Sequence, residues 1–259
     1  MALLILPAAA FGQTPYFTPY EGQPGKDVVW VPTPMALVER MLDMVKVTPK
    51  DYVVDLGSGD GRNVIAAAKR GANALGIEYD PDMITLSRKK AEEAGVADRA
   101  KFLQADMYEA DISKATALVL FLLPINLEKL TAKFLELPAG TRIVNNGYKI
   151  PGWEEVETGK LGGDCVTWCT AYLYLVPAKV SGKWLLPAGE LQFRQDFQEL
   201  TGTLTTKDGR TLTVMGSVQA DRVHFSVGLD TYSGRVRGKQ MSGQAAGSKS
   251  GYWKAARLD

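Results

Sequence analysis

The sequence predicts an α/β protein in which a helix-covered parallel sheet is followed by a small antiparallel β domain. Three observations predict this class. Short apolar runs alternate with helical segments over residues 35–177, the helical spacing ends at Pro177, and glycines then recur every few residues between hairpin signals. Strands that are apolar on both faces need helices on both sides, whereas frequent tight turns are typical of antiparallel sheets.

Composition and charge are those of an ordinary globular protein. The 259 residues are 46% hydrophobic and 23% charged, and 30 basic against 29 acidic residues leave a net charge of +1. A chain so balanced has no field to attract a polyanion, so we expect no nucleic-acid partner. No run approaches the ~20 apolar residues that a membrane-spanning helix needs, so we expect no transmembrane segment.

The N-terminal residues are less ordinary. Residues 1–12 run apolar and then small, as in the apolar core and cleavage region of a secretory signal, although no basic residue precedes them. Two interpretations stay open: a signal-peptide remnant on an exported, periplasmic protein, or an apolar tail on a cytoplasmic one. Residues 13–34 are rich in proline, glycine and aromatic residues and predict an irregular arm.

The first predicted domain covers residues 35–179. Its first helix follows Thr33-Pro34, where threonine is a competent N-cap and proline suits the first helical position. Strands and helices then alternate. Strands are predicted at 52–56, 74–78, 101–105, 117–123 and 142–145, with two more near 154–157 and 167–176, and further helices at 63–70, 81–94 and 125–135.

The second predicted domain, residues 180–259, is an antiparallel sheet or small barrel of about six strands. Asp208-Gly209 lies between two alternating runs and is a strong hairpin signal. The single histidine, His224, lies between two apolar strand residues, so we expect it to be packed or to face the surface. No residue pattern in this domain indicates a chemical activity.

The two cysteines, Cys165 and Cys169, are four residues apart in a segment predicted as a strand. Strand geometry would place their α-carbons about 13 Å apart, beyond the roughly 7 Å that a disulfide allows. We therefore expect two packed cysteines and no bridge, and with one distant histidine we expect no metal site. Core positions are expected for Trp153, Trp168, Trp184 and Trp253.

The strongest chemical signal is the loop after the first predicted strand. This loop, taken with the last two strand residues, consists of Asp55, Leu56, Gly57, Ser58, Gly59, Asp60 and Gly61. Its glycines permit a tight strand-to-helix turn and a close approach of ligand to backbone. A dinucleotide-binding loop would have its third glycine where this chain has Arg62, and Asp55 and Asp60 would repel a pyrophosphate. The acids instead suit a ligand with a cationic amino group, such as S-adenosylmethionine (SAM).

Two further acids follow the next strands. Glu78 ends the second predicted strand, where an acid accepts hydrogen bonds from ribose hydroxyls, and Asp106 follows the third, placed to accept from an adenine amino group. The carboxyl ends of parallel strands lie at one edge of a sheet, where ligands bind. We therefore expect a cofactor site that also includes Tyr79, Met107 and, where the arm enters the first helix, Thr33.

Residues 30–177 resemble the class I SAM-dependent methyltransferases, which implies a Rossmann-like seven-strand methyltransferase sheet. The resemblance lies in the 55–62 loop, in residues 66–71 and 76–81, and in Trp30-Val31-Pro32-Thr33-Pro34 ahead of the fold. It is greatest to a bacterial group similar to the seven-strand lysine methyltransferases that act on the ATP-synthase c-subunit. It implies that the loop lines the methionine part of SAM, with Glu78 at the ribose and Asp106 at the adenine.

The methyl-acceptor side departs from the family pattern. Amino methyltransferases of this class often carry an Asn/Asp-Pro-Pro-aromatic segment after the fourth strand, which residues 121–126 match only at Pro124. After the fifth strand the related group tends to show Ser-His-Asp-Phe, where this chain has residues 145–148. We expect Pro124 to border the substrate cleft and Tyr148 to be a catalytic candidate. Asn126 either orients the amine or caps the helix.

The sequence thus predicts an enzyme that transfers a methyl group from SAM to an amine, with a protein lysine as the favoured acceptor. Two alternatives stay open. One is methylation of a small molecule or lipid at oxygen or nitrogen. The other is a non-catalytic scaffold with a SAM fold that carries a β binding module. The expected partner is accordingly a protein or small-molecule methyl acceptor.

Overall fold

The computed structural model describes residues 17–163, 165–248 and 250–258. Two sheets organise the chain, a seven-stranded mixed sheet and a closed eight-stranded antiparallel barrel. The signal-like residues 1–12 lie outside the described residues, so export stays a prediction. Within the described part, no helix has the length and apolar character needed to cross a bilayer.

Helices and strands alternate through the first sheet, as predicted. The helices are α1 (Met35–Met44), α2 (Arg62–Lys69), α3 (Pro81–Glu93) and α4 (Pro124–Leu135). The strands are β1 (Tyr52–Leu56), β2 (Asn73–Glu78), β3 (Ala100–Gln104), β4 (Ala117–Leu120), β5 (Arg142–Asn146), β6 (Glu157–Lys160) and β7 (Thr170–Leu175). Every predicted element is present, but β4 ends at Leu120 instead of Leu123, and β6 and β7 begin later than predicted.

The strand order of this sheet is β3-β2-β1-β4-β5-β7-β6. The first five strands in that order are parallel, and β7 and β6 add an antiparallel edge. The chain reverses its direction of travel across the sheet between β1 and β4. Ligands of open α/β sheets bind outside the carboxyl ends of the strands at such a switch point.

Both faces of the sheet are covered by helices. Residues of β4 alternate between the two: Val119 packs in a cluster with α1, α2 and α3, whereas Leu118 and Leu120 pack with Leu127 and Phe134 of α4. All five side chains are fully buried. The continuous apolar strands predicted from the sequence are therefore the centre of a three-layer α/β domain.

The N-cap predicted for the first helix is wrong. The helix begins at Met35, and Pro34 precedes it in an extended conformation without a side-chain cap. The Thr33 hydroxyl instead accepts a hydrogen bond from the Asn146 side-chain amide at 3.3 Å. Thr33 therefore ties the N-terminal arm to the end of β5.

The barrel has eight strands, two more than predicted. They are β8 (Gly182–Leu186), β9 (Gly189–Asp196), β10 (Glu199–Thr206), β11 (Thr211–Gln219), β12 (Arg222–Val227), β13 (Asp230–Arg237), β14 (Gln240–Ala246) and β15 (Gly251–Arg257). The strands near the end of the chain are hard to recognise because they carry glycines instead of an alternating pattern. Gly234 and Gly243 pair across β13 and β14, and a β-carbon on Gly234 would lie 2.8 Å from the Trp253 ring.

The barrel interior is filled by side chains. Phe225 stacks on Tyr232 with ring centroids 4.7 Å apart and meets Trp253 edge-on at 5.5 Å. Trp184 is fully buried, which confirms the core prediction for this residue and for Trp253. His224 is exposed, one of the two placements expected for it.

The prediction for the two cysteines is wrong. Cys165 and Cys169 form a disulfide with α-carbons 5.9 Å apart, and neither is fully buried. The physical reason is that β7 begins only at Thr170, so the cysteines lie in a loop. Trp168 in this loop has a left-handed backbone conformation (φ +55°), and the chain is not extended there.

Candidate active site

A cleft lies at the carboxyl ends of the parallel strands, with the N-terminal arm as its outer wall. Eleven of the predicted residues line it: Thr33, Asp55, Gly57, Ser58, Gly59, Asp60, Glu78, Tyr79, Asp106, Met107 and Tyr148. Gly61, Pro124 and Asn126 were also predicted here, but they are not among the residues that line the cleft. The topology thus brings most of the candidate residues into one site.

The glycines of the loop serve different purposes. Gly57 and Gly59 have positive φ values of 74° and 53° and face the cleft. A β-carbon on Gly59 would lie 2.6 Å from the Trp30 indole, so this glycine allows the arm to pack on the loop. Gly61 (φ 79°) precedes α2, and a β-carbon there would meet the Phe102 ring at 2.7 Å. Gly61 is therefore a packing residue, which explains its absence from the cleft lining.

Asp55 is a buried carboxyl without a cationic partner in the described part of the chain. It is 3% exposed and accepts one hydrogen bond, from the Asn63 amide at 3.1 Å. Burial raises the pKa of Asp55 well above its usual range. The hydrogen bond from Asn63 opposes this rise, whereas the negative charges of Glu78 and Asp60 add to it. Beside it the Ser58 hydroxyl and the Asn63 amide oxygen are buried, and neither has a partner among the described residues. Such groups fit a polar, cationic ligand.

Asp60 lines the cleft and is paired with two cations of the chain. Its carboxylate accepts two hydrogen bonds from Arg62, at 2.9 and 2.7 Å, and one from Lys90 at 2.7 Å. Burial opposes ionisation, but these two cations outweigh it and lower the pKa of Asp60. Asp60 is thus already neutralised. Because Arg62 also donates to the Thr33 carbonyl at 2.7 Å, the pair fastens the arm to the glycine loop.

Glu78 is held against the loop by backbone amides. One carboxylate oxygen accepts from Gly59 N–H at 2.8 Å, and the other from Tyr79 and Asp80 N–H at 2.8 and 3.0 Å. A carboxylate has about four lone-pair sites, so one remains for a ligand hydroxyl. Glu78 can therefore both shape the loop and bind a ribose.

Asp106 is paired with a residue that the sequence did not indicate. Lys26 of the arm forms an ion pair with it and lies 4.9 Å from the Tyr79 ring centroid. The Lys26 hydrogen bond, with one from Tyr108 N–H at 2.9 Å, lowers the pKa of Asp106. Lys26 lies 80 residues away in an arm predicted to be irregular, so no local pattern could have revealed it.

Asn126 does not cap a helix. Leu123 is the N-cap of α4 and Pro124 its first residue, which excludes the cap interpretation. The Asn126 side chain is buried and donates to the Tyr108 hydroxyl at 2.8 Å, while its amide oxygen has no partner in the ranges that the structure describes. Pro124 is exposed on the outside of the cleft. A catalytic role for Asn126 stays a prediction, to which the geometry gives no support.

Aromatic side chains line the part of the cleft near the ends of β4 and β5, where the sequence predicts the methyl acceptor. Phe121 follows β4, Tyr148 follows β5, and Trp168 comes from the disulfide loop. The core position predicted for Trp168 is wrong, because its ring is half-buried against Phe121 and Tyr148. Trp153, by contrast, is 4% exposed, as predicted.

Comparison with known proteins identifies the class of enzyme. The family model of the ANTKMT methyltransferase domain matches residues 55–157, which excludes the barrel. A protein-lysine N-methyltransferase of Saccharolobus islandicus is 40% identical over 58% of this chain and 94% of its own length. A mouse lysine N-methyltransferase, named for the c-subunit of ATP synthase, is 36% identical over 64% of this chain and 65% of its own length. A solved RNA methyltransferase of Salinibacter ruber, in complex with S-adenosyl-L-homocysteine, is 43% identical, covers 58% of this chain and 96% of that chain, and has a TM-score of 0.54.

The seven-strand sheet with its acid-and-glycine loop defines a Rossmann-like methyltransferase. The chain belongs to the class I SAM-dependent methyltransferases, and SAM is its cofactor. It is therefore an enzyme. Its barrel, residues 182–257, lies outside the segment that the family model matches.

Proposed function

We propose that this enzyme transfers a methyl group from SAM to the side-chain amine of a protein lysine. The observation that carries the proposal is the 40% identity to a protein-lysine methyltransferase over nearly all of that relative. A second relative, at 36% identity, is also named for lysine methylation. The balanced net charge of +1 fits a protein acceptor better than a nucleic acid.

The residues of the cleft divide the binding of SAM between them. We assign its ammonium to the Asp55 carboxylate, whose burial would then be compensated by a charge-assisted hydrogen bond. Ser58 and Asn63 offer further polar atoms that lack partners beside Asp55. Glu78 would accept from the ribose hydroxyls, and Asp106 from the adenine amino group in competition with Lys26.

At the acceptor end, the chain has to exclude water and align the amine. The lone pair of the amine nitrogen attacks the methyl carbon that SAM carries on its sulfonium. The new N–C bond forms as the S–C bond breaks, and the sulfur keeps the electron pair of the broken bond. A lysine amine has a pKa of about 10.4, so it must lose a proton, here to water, before it can react. Phe121, Tyr148 and Trp168 provide an aromatic wall that excludes solvent from the reacting amine.

The location of the enzyme is a separate proposal. Disulfides persist in oxidising compartments, so the Cys165–Cys169 bridge supports export over a cytoplasmic location. Pulse labelling of the expressed protein in its native host, with cell fractionation, tests this. Recovery of full-length protein in the cytoplasm, with both cysteines reduced, would contradict export.

The methyl acceptor is tested with SAM carrying a deuterated methyl group. The purified enzyme is incubated with a cell lysate, and protein, RNA and lipid fractions are analysed by mass spectrometry. We expect label on lysine side chains of protein above the level of lysate alone, and at subsaturating SAM about tenfold less of it with Asp55→Asn enzyme. Label in RNA, as the Salinibacter relative would suggest, or in lipids or small molecules alone would overturn the lysine assignment.

A further inference from the structure

Three aromatic rings from distant parts of the chain meet at the acceptor end of the cleft. The Trp168 ring centroid lies 5.1 Å from that of Phe121 and 5.5 Å from that of Tyr148, at interplanar angles of 59° and 50°. All three side chains are half-buried and line the cleft. Because the rings are tilted and not stacked face to face, they leave aromatic surface open to a ligand.

The backbone around Trp168 is built to hold its ring in this place. A left-handed conformation (φ +55°) is unusual for a bulky residue, and such conformations persist where the surroundings enforce them. The Cys165–Cys169 disulfide closes the short loop that contains Trp168. On the other side, Gly147 (φ 78°) leaves room for the ring, since a β-carbon there would lie 2.9 Å from it.

The segments that carry the other two rings are fixed to each other by Asn145. This fully buried side chain accepts from Leu122 N–H at 3.0 Å and donates to the carbonyls of Leu122 at 3.2 Å and Tyr148 at 2.9 Å. It therefore joins the end of β4 to the end of β5. Hydrogen bonds of Asn145 therefore fix the segments that carry Phe121 and Tyr148, and the disulfide closes the loop that carries Trp168.

We propose that Phe121, Tyr148 and Trp168 form the subsite for the acceptor lysine, and that the Cys165–Cys169 disulfide is the positioning element that keeps Trp168 in it. The inference rests on the proposed function. Aromatic faces attract ammonium and methylammonium groups, tryptophan most strongly, and apolar rings also suit the aliphatic part of a lysine. The methylammonium group of the methylated lysine would thus contact the faces of these rings and not a carboxylate.

The role of Trp168 is tested with Trp168→Ala and Trp168→Phe enzymes in the deuterium-labelling experiment. We expect the lysine label to fall by about tenfold or more in the alanine variant. Its affinity for S-adenosylhomocysteine, measured by calorimetry, should stay within about twofold of the wild-type value. Phenylalanine should restore most of the label. Trp153→Phe, a matched change in the core, should leave it unchanged. Wild-type labelling by Trp168→Ala would overturn the subsite.

A binding probe separates this subsite from the proposed function. Choline and its neutral isostere 3,3-dimethylbutan-1-ol are titrated by NMR into enzyme saturated with S-adenosylhomocysteine. Choline should bind about threefold or more tighter than the isostere, and Trp168→Ala should abolish the difference. If the wild-type enzyme labels no lysine, the proposed function is wrong, and the subsite is then judged from the two probes alone. Equal binding of choline and its neutral isostere would overturn the subsite.

The role of the disulfide is tested with the Cys165→Ser, Cys169→Ser double variant and with reduced wild-type enzyme. In both proteins, lysine labelling and choline affinity should fall by about threefold or more, while the affinity for S-adenosylhomocysteine stays unchanged. Reductant should have no further effect on the double variant, which controls for other actions of the reagent. Full labelling by the reduced enzyme would overturn the positioning role.

Discussion

The sheet and the barrel bury different kinds of side chain. All twelve buried polar or charged residues of the described ranges lie between Gln23 and Asn146, in the arm and the α/β sheet, whereas the barrel interior is apolar. A buried polar group is unfavourable unless it has a partner. Of the five buried side-chain atoms that lack one among the described residues, four belong to the sheet domain and one, of Gln198, to the barrel. The sheet domain therefore buries polar side chains at a free-energy cost near its ligand cleft, whereas burial of apolar side chains stabilises the barrel.

We propose that the two regions are separate folding units, residues 35–179 and 180–259. A chain that ends at Lys179 should then bind S-adenosylhomocysteine within about threefold of the full chain. It should lose about 3 kcal/mol of stability, because Phe197 of the barrel stacks on Trp153 at 5.3 Å. Full-length Phe197→Ala, which removes this ring and keeps the rest of the barrel, is the control for thermal unfolding. Truncated protein that fails to bind, while this control binds normally, would make the barrel part of the cofactor unit.

Asp51 shows how the sheet stabilises a buried acid that has partners. Burial opposes its ionisation, but hydrogen bonds from Arg142, Thr116 and Thr48 lower its pKa to about 2 from an ordinary 3.8. This stabilisation, roughly 2 kcal/mol, is full above pH 4 and is lost as the pH falls towards 2. Asp51→Asn should be less stable at pH 7 and should lose less stability between pH 4 and pH 2.

Urea unfolding at several pH values measures this difference. Asp43→Asn is the matched control, because Asp43 pairs with Arg70 at the surface and its side chain is 60% exposed. The control should change stability little at any pH. Parallel pH curves for wild type and Asp51→Asn would show that the Asp51 network does not stabilise the fold.

Asn126 tests whether a buried polar residue near the cleft serves structure or catalysis. Its hydrogen bond to Tyr108 predicts that Asn126→Ala loses about 1 kcal/mol of stability and keeps normal turnover per folded enzyme. Tyr108→Phe removes the same hydrogen bond and should have a similar effect on unfolding. A fall in turnover of more than about tenfold with Asn126→Ala, but not with Tyr108→Phe, would restore the catalytic interpretation.

The sequence was informative where chemistry and topology coincide locally. Asp55 lies near the end of β1, Gly57 and Gly59 follow it, and Glu78 ends β2. The rule for parallel strands therefore places them together without knowledge of the packing. The hairpin at Asp208-Gly209 is equally local, with β10 ending at Thr206 and β11 starting at Thr211. Each of these predictions needed only residues close together in the chain.

The missed residues depend on contacts between distant segments. Lys26 reaches Asp106 across 80 residues, and Trp168 enters the cleft only because its loop is not a strand. The cysteine prediction failed for the same reason, since an extended chain was assumed where the chain turns. The cation that helps to neutralise Asp60 could not be predicted either, because Lys90 lies 30 residues away on α3.

The central claim is that the buried Asp55 carboxylate binds the ammonium of SAM. Calorimetry with S-adenosylhomocysteine, which carries that ammonium, and with 5′-methylthioadenosine, which lacks it, tests the claim in wild-type and Asp55→Asn enzyme. Asp55→Asn should weaken S-adenosylhomocysteine binding by about tenfold or more and change methylthioadenosine binding by less than about twofold. Equal weakening of both ligands, or of neither, would contradict the claim.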